Sequence, residues 1–109
     1  MAEPTLTEVF GAAATQDATT LTITKADLTG LTASANNTAE SLLVGILLKA
    51  QSFLTQTAFD ADTDKSIYIE NGFSSFATRG VNNDAYRVDQ LTVNLAKLDT
   101  SGTIDPDNY

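Results

Sequence analysis

The stretch Asn37-Thr38-Ala39-Glu40-Ser41-Leu42-Leu43-Val44-Gly45-Ile46-Leu47-Leu48-Lys49-Ala50-Gln51-Ser52-Phe53-Leu54 decides the fold class of this 109-residue chain. Ala39, Leu42, Leu43, Ile46, Leu47, Ala50, Phe53 and Leu54 recur at helical spacing, and Asn37 is placed to cap a first turn into which Glu40 reaches back. The spacing predicts a helix over 38–57. Val44 and Leu48 fall off that stripe, so the middle of the helix, Leu-Leu-Val-Gly-Ile-Leu-Leu, is apolar nearly all round and needs cover on two sides. Loops and terminal segments of the same chain can supply the second cover. A neighbouring subunit approaching at Gly45 can also supply it, with Val44 and Leu48 as its contact residues.

On either side of this helix the period changes to two. Leu21 and Ile23 alternate with Thr20, Thr22 and Thr24, which predicts a strand over 19–25. Ser66-Ile67-Tyr68-Ile69-Glu70 reads as a short strand closed by an Asn71-Gly72 turn; Phe73 and Phe76 follow in a Ser-rich piece that reads as a loop, returning to the core or, with Tyr86, serving as recognition anchors, and Gly80-Val81-Asn82-Asn83-Asp84 reads as another turn. Leu91, Val93 and Leu95 alternate with Thr92, Asn94 and Ala96, so the longest strand is expected over 86–97. The expected architecture is one α+β domain over 1–109: one main helix packed on a small, mainly antiparallel sheet, with extended terminal arms. Its core spans 19–97. The N-terminal arm, 1–18, contains Thr5-Leu6-Thr7-Glu8 with capping-box spacing and Leu6, Val9 and Phe10 on one face of a single turn ended by Gly11. The C-terminal arm, 98–109, has Ile104 and Tyr109 as its large apolar groups.

Composition removes most catalytic chemistry. The chain has no His, Cys or Trp, which excludes imidazole bases, thiolate nucleophiles and every metal site built on those ligands. Six basic against fourteen acidic residues give a net charge of −8, the wrong sign for a nucleic-acid or anionic-membrane partner. Met-Ala-Glu-Pro-Thr lacks the basic and apolar regions of a secretory signal, so synthesis is expected in the cytoplasm. Asp60-Ala61-Asp62-Thr63-Asp64 places carboxylates at positions 1, 3 and 5 of a turn, the way calcium loops gather hard oxygen ligands, with Glu70 or Asp99 available to complete a site. Lys65 where such a loop needs Gly, and Asn71 where it needs Glu, depart from that pattern; a solvated acidic turn is the simpler reading. Tyr68, on a strand whose Ile67 and Ile69 face inward, is placed to meet a partner.

Leu21-Thr22-Ile23-Thr24-Lys25-Ala26-Asp27-Leu28 and Tyr86-Arg87-Val88-Asp89-Gln90-Leu91-Thr92-Val93-Asn94-Leu95, in a small acidic chain rich in Thr, Asn and Asp, resemble small virion structural proteins of tailed phages, cyanobacterial phages among them, of the cement or decoration type. The resemblance implies a non-enzymatic subunit, made in the host cytoplasm and located in the virion. It implies binding to a capsid or tail protein, or to copies of itself, in many copies and without a cofactor. Leu6, Val9, Phe10, Val44, Leu48, Tyr68, Ile104 and Tyr109 are the candidate interface residues. The alternative is a calcium-dependent binding module built on Asp60, Asp62 and Asp64.

Overall fold

The computed structural model describes residues 3–98 and 102–109. In chain order it contains α1 (Leu6–Phe10), β1 (Thr15–Gln16), β2 (Leu21–Thr22), α2 (Ala39–Phe53), α3 (Gln56–Ala61), β3 (Ile67–Arg79) and β4 (Asp84–Leu95), with single 3₁₀ turns at Lys25–Asp27 and Pro106–Asn108. The fold class is α+β. The α2 cap is Thr38 and not Asn37: the Thr38 hydroxyl accepts from Ser41 N at 3.1 Å. Asn37 is engaged in the preceding loop, where its Oδ1 accepts from Ser34 N and its Nδ2 donates to the Thr32 carbonyl. The expected single helix over 38–57 is two helices. Leu54 N closes α2 on the Ala50 carbonyl at 2.8 Å, and Thr55 begins α3 by accepting from Ala58 N at 3.1 Å.

A hydrophobic cluster of Ala50, Leu54 and Ile69 sits where α2 ends against the start of β3, with Val9, Phe53, Ile67 and Leu91 packed around it. Ile69 N donates to the Leu54 carbonyl at 2.9 Å, which ties the hairpin to the helical half. Helix α1, held by a complete Thr5–Glu8 capping box, docks on α2 and brings Val9 to this cluster, so the first part of the expected N-terminal arm belongs to the body. The chain itself covers the second side of α2 only around Gly45; Val44 (52% exposed) stays at the surface, and so does Leu43 (56%) from the expected core stripe. Leu28 is buried over Gly45, where an added Cβ would lie 3.2 Å from Leu28 Cβ, so the close approach that Gly45 permits is intramolecular.

The sheet departs most from expectation. Instead of one sheet over 19–25, 66–70 and 86–97, there are two separate two-stranded antiparallel ladders. The Thr-rich segment pairs only through Thr15↔Thr22 and Gln16↔Leu21. Asp17 is the cause: its Oδ1 accepts from Thr19 N at 2.8 Å and Thr20 N at 2.7 Å, folding 17–20 into a side-chain-stabilised turn that truncates the strands. Asn71-Gly72 is not a turn either. β3 continues through it, and Gly72 and Phe73 together oppose Gln90 as a bulge between the Asn71↔Leu91 and Ser74↔Asp89 pairs. Gly72 is required there, because a Cβ would lie 2.9 Å from Gln90 Cβ. The chain reverses at 80–83 instead, where Gly80 and Asn83 take positive φ of 82° and 51°.

The result is elongated, 51 × 34 × 26 Å, with a radius of gyration of 16.6 Å where a compact chain of this length has about 13 Å. The core is correspondingly thin and concentrated at one place. Ile69→Ala is therefore expected to cost about 2–5 kcal/mol of stability, measured by urea unfolding, because Ile69 is only 5% exposed in the cluster that joins the two halves.

Candidate functional site

Every residue from 71 to 90 is exposed, and this distal part of the β3–β4 hairpin projects past the body. Its last tether is the bond from Gln51 Nε2 to Asn71 Oδ1, 3.0 Å long. Beyond that point Phe73 (86% exposed), Phe76 (77%) and Val81 (98%) stand in solvent, accompanied by exposed Tyr86 and Val88. Phe73 and Phe76 therefore do not return to the core as expected: their strand pairs with Asp84–Gln90 above the point where the body ends.

Paired residues of an antiparallel ladder share a face, so the register sorts the ribbon. Ser74, Asp89, Phe76 and Arg87 lie on one face, where the Ser74 hydroxyl donates to Asp89 Oδ1 at 2.7 Å and Arg87 Nε donates to the same oxygen at 2.8 Å. That pairing holds the Asp89 carboxyl below its ordinary range and the Arg87 guanidinium above its own. On the other face are Ser75, Val88, Ala77 and Tyr86, with the Arg79 guanidinium 4.9 Å from the Tyr86 ring centre. These contacts are solvated and contribute little to stability. They do engage the polar side chains along the ribbon, with Arg79 over Tyr86, while Phe73 and Phe76 stay in solvent.

The remaining candidates fall into three groups. Tyr68, Ile104 and Tyr109 are brought together: with Phe59, Val93 and Asn94 they line an open groove of about 470 Å³ at the base of the hairpin. Phe59 packs on Tyr68 with ring centres 4.8 Å apart. Val44 and Leu48 line a shallower groove of about 300 Å³ beside Leu31 and Gly45. Leu6, Val9 and Phe10 are half-buried on the body.

The acidic segment is differently arranged from an open ligand loop. Asp60 lies within α3 and Asp62 is its C-cap. The Asp62 carboxylate is buried, accepting from Lys65 Nζ at 2.9 Å and from Asp64 N at 2.9 Å, and these bonds, Lys65 first, lower its pKa. Lys65 in turn lies 5.7 Å from the centre of the Phe53 ring. Among the described residues no three acidic side chains converge on one point, because α3 carries Asp60 away from Asp62 and Asp62 is engaged by Lys65. Asp99 lies outside the described residues. Among the described residues no helix is long and apolar enough to cross a membrane. Comparison with family models, curated proteins and solved structures finds no match to the chain.

The turn at 80–84 and the strand after it are legible in the sequence; the strand before it is not, because Phe73–Arg79 is Ser-rich and follows an Asn-Gly turn signal, and reads as a loop.

Acid should expose the local bonds described above. Thr19 and Thr20 N–H groups hold Asp17 at about 2, and Thr5, acting on Glu8, and Lys65, acting on Asp62, lower those pKa values too. Each folded-state value lies below that of the unfolded chain, near 4, so the stabilisation is present above about pH 4 and is lost as pH falls. The melting temperature is expected to drop between about pH 4 and 2, and Asp17→Asn should make that drop smaller.

Proposed function

We propose that the chain is a non-enzymatic structural subunit of a larger assembly, a virion protein of a tailed phage, either a capsid cement or decoration protein or a head–tail or tail component. It docks on neighbouring subunits through the β3–β4 hairpin. The observation that carries this reading is surface. The chain exposes 7,995 Å², whereas a compact monomer of 11.5 kDa exposes about 5,800 Å². The excess, roughly 2,200 Å² on one chain, falls in the class of permanent interfaces, which bury about 2,000–5,000 Å² in total.

The position of the apolar groups supports the same reading. Isolated exposed apolar residues are ordinary, but Phe73, Phe76, Tyr86 and Val88 are carried together on a ribbon that serves no fold of its own. A two-stranded hairpin is marginal in water, and packing against a neighbour is what stabilises one. The mechanism is added contact area: the body gives a fixed platform, and the ribbon reaches across to the next subunit. The groove of Tyr68, Ile104 and Tyr109 offers a second contact at the ribbon base.

The experiment is quantitative mass spectrometry of particles purified from the host that carries the gene. The chain is expected in particles at a fixed copy number set by shell or tail symmetry, and its absence from them would overturn the proposal. Phe73→Ser, at a position already 86% exposed, should leave the melting temperature of the isolated chain unchanged and reduce incorporation.

A further inference from the structure

We propose that the unpaired edge of β3 over residues 74–78 is a strand-addition site whose occupant is the same edge of a second copy of this chain. Two hairpins would join antiparallel about a two-fold axis into a four-stranded sheet. This deepens the assembly reading, on which it rests, by naming the partner of the ribbon.

The phase of the ladder says which backbone groups are free. Ala96 N donates to the Ser66 carbonyl at 2.7 Å, so even-numbered residues of β4 direct their N–H and C=O groups toward β3. Ile69 N, bonded outward to Leu54, fixes the same phase from the other strand. β4 passes the bulge without an inserted residue, so Val88, Tyr86 and Asp84 bond inward to Ser75, Ala77 and Arg79. Ser74, Phe76 and Thr78 therefore present their backbone donors and acceptors away from β4. The sheet ends at that edge.

Soluble proteins guard such an edge with charge, proline or cover. This one has none of these: Phe73-Ser74-Ser75-Phe76-Ala77-Thr78 contains no charged residue and no proline, whereas the β4 side carries Asp84, Arg87 and Asp89. Two-fold symmetry then restricts the register. In a face-preserving antiparallel pair the two residue numbers sum to an even value, and the pairing that uses all three outward residues centres on Phe76. It sets Ser74 opposite Thr78 of the partner subunit and Phe76 opposite its own counterpart, closing about six new hydrogen bonds and burying two exposed aromatic rings.

Charge selects a second copy as the occupant. Residues 72–90 contain two arginines and two aspartates, so the ribbon is neutral and the net −8 of the chain resides on the rest. The six pairs from Ser74↔Asp89 to Arg79↔Asp84 and the loop beyond them carry the ribbon about 20 Å beyond the bulge. Antiparallel joining places the two acidic bodies at opposite ends of the sheet, farther apart than the roughly 8 Å screening length at physiological salt. Two strongly acidic chains can thus meet through the one part of each that does not repel the other.

Light scattering over a concentration series, with the intact chain, is the first measurement. The wild type is expected to be a dimer, and Phe76→Pro, which removes an outward N–H and leaves the β3–β4 ladder intact, should raise its dissociation constant at least about tenfold, equivalent to about 1.4 kcal/mol. A cysteine variant gives a reading independent of any effect of proline on the ribbon, in a chain that has no other thiol. Under mild oxidation Phe76→Cys should form a disulfide-linked dimer, since opposed residues lie about 5.5 Å apart, and Val88→Cys, three strand spacings from its counterpart, should not. A monomeric wild type, or a dimer in which Val88→Cys links as readily as Phe76→Cys, would overturn the pairing. A monomer that is still found in particles separates the two proposals, overturning this one and sparing the assembly role.

Discussion

The bond from Ile69 N to the Leu54 carbonyl, with Ala50, Leu54 and Ile69 closed around it, is the joint on which this protein depends. It occurs where α2 stops and its last carbonyls would otherwise lack partners. By accepting a strand amide there, the helix end fixes the origin and direction of the hairpin. Val9 from α1 and Leu91 from β4 pack on the same point, so the N-terminal helix, the long helix and both long strands share one small apolar contact. Phe59 against Tyr68 and the bond from Gln51 to Asn71 flank this joint on the helical side, and the core is a seam between two halves more than an interior.

That economy explains which features could be read from the residues. α2 was legible because eight apolar residues repeat at helical spacing, a signal strong enough to survive an error in its cap. The error itself has a local cause: Asn37 and Thr38 are both good caps, and only the loop that uses Asn37 decides between them. The sheet was less legible. Alternation in 19–25 promised a strand, yet the Asp17 carboxylate, two residues upstream, bent the chain first. Asn71-Gly72 is a strong turn signal in isolation, but glycine also suits a bulge, and the long complementary segments on either side of 80–83 favoured continuing the ladder.

The candidate contact residues divide along the same line. Tyr68, Ile104 and Tyr109 were separate guesses that the fold gathers into one groove, because the C-terminal turn lies beside the strand that presents Tyr68. Val44 and Leu48 remain at the surface beside a loop that covers Gly45 between them. Phe73 and Phe76, which their size suited either to the interior or to a contact, stand in solvent. Size and hydrophobicity say that a residue is best buried; they do not say whether the burying surface is in the same chain.

The tip at 80–83 has a consequence for the order of events during folding. A four-residue reversal with Gly80 and Asn83 already in the left-handed region joins strands that are adjacent in sequence, and hairpins of this kind close in about 1–10 μs. The body must instead bring residue 9 to residue 54 and residue 54 to residue 69, with α1 and the 11–37 segment still to be placed, a search over longer loops. Closure from the tip toward the base brings Ile69 and Leu91, each paired to the other strand through Val93 and Asn71, to the helix end together. A hairpin that closes quickly is still marginal alone, so the helix end has to capture it, and the part of the molecule that faces outward owes its persistence to that single docking.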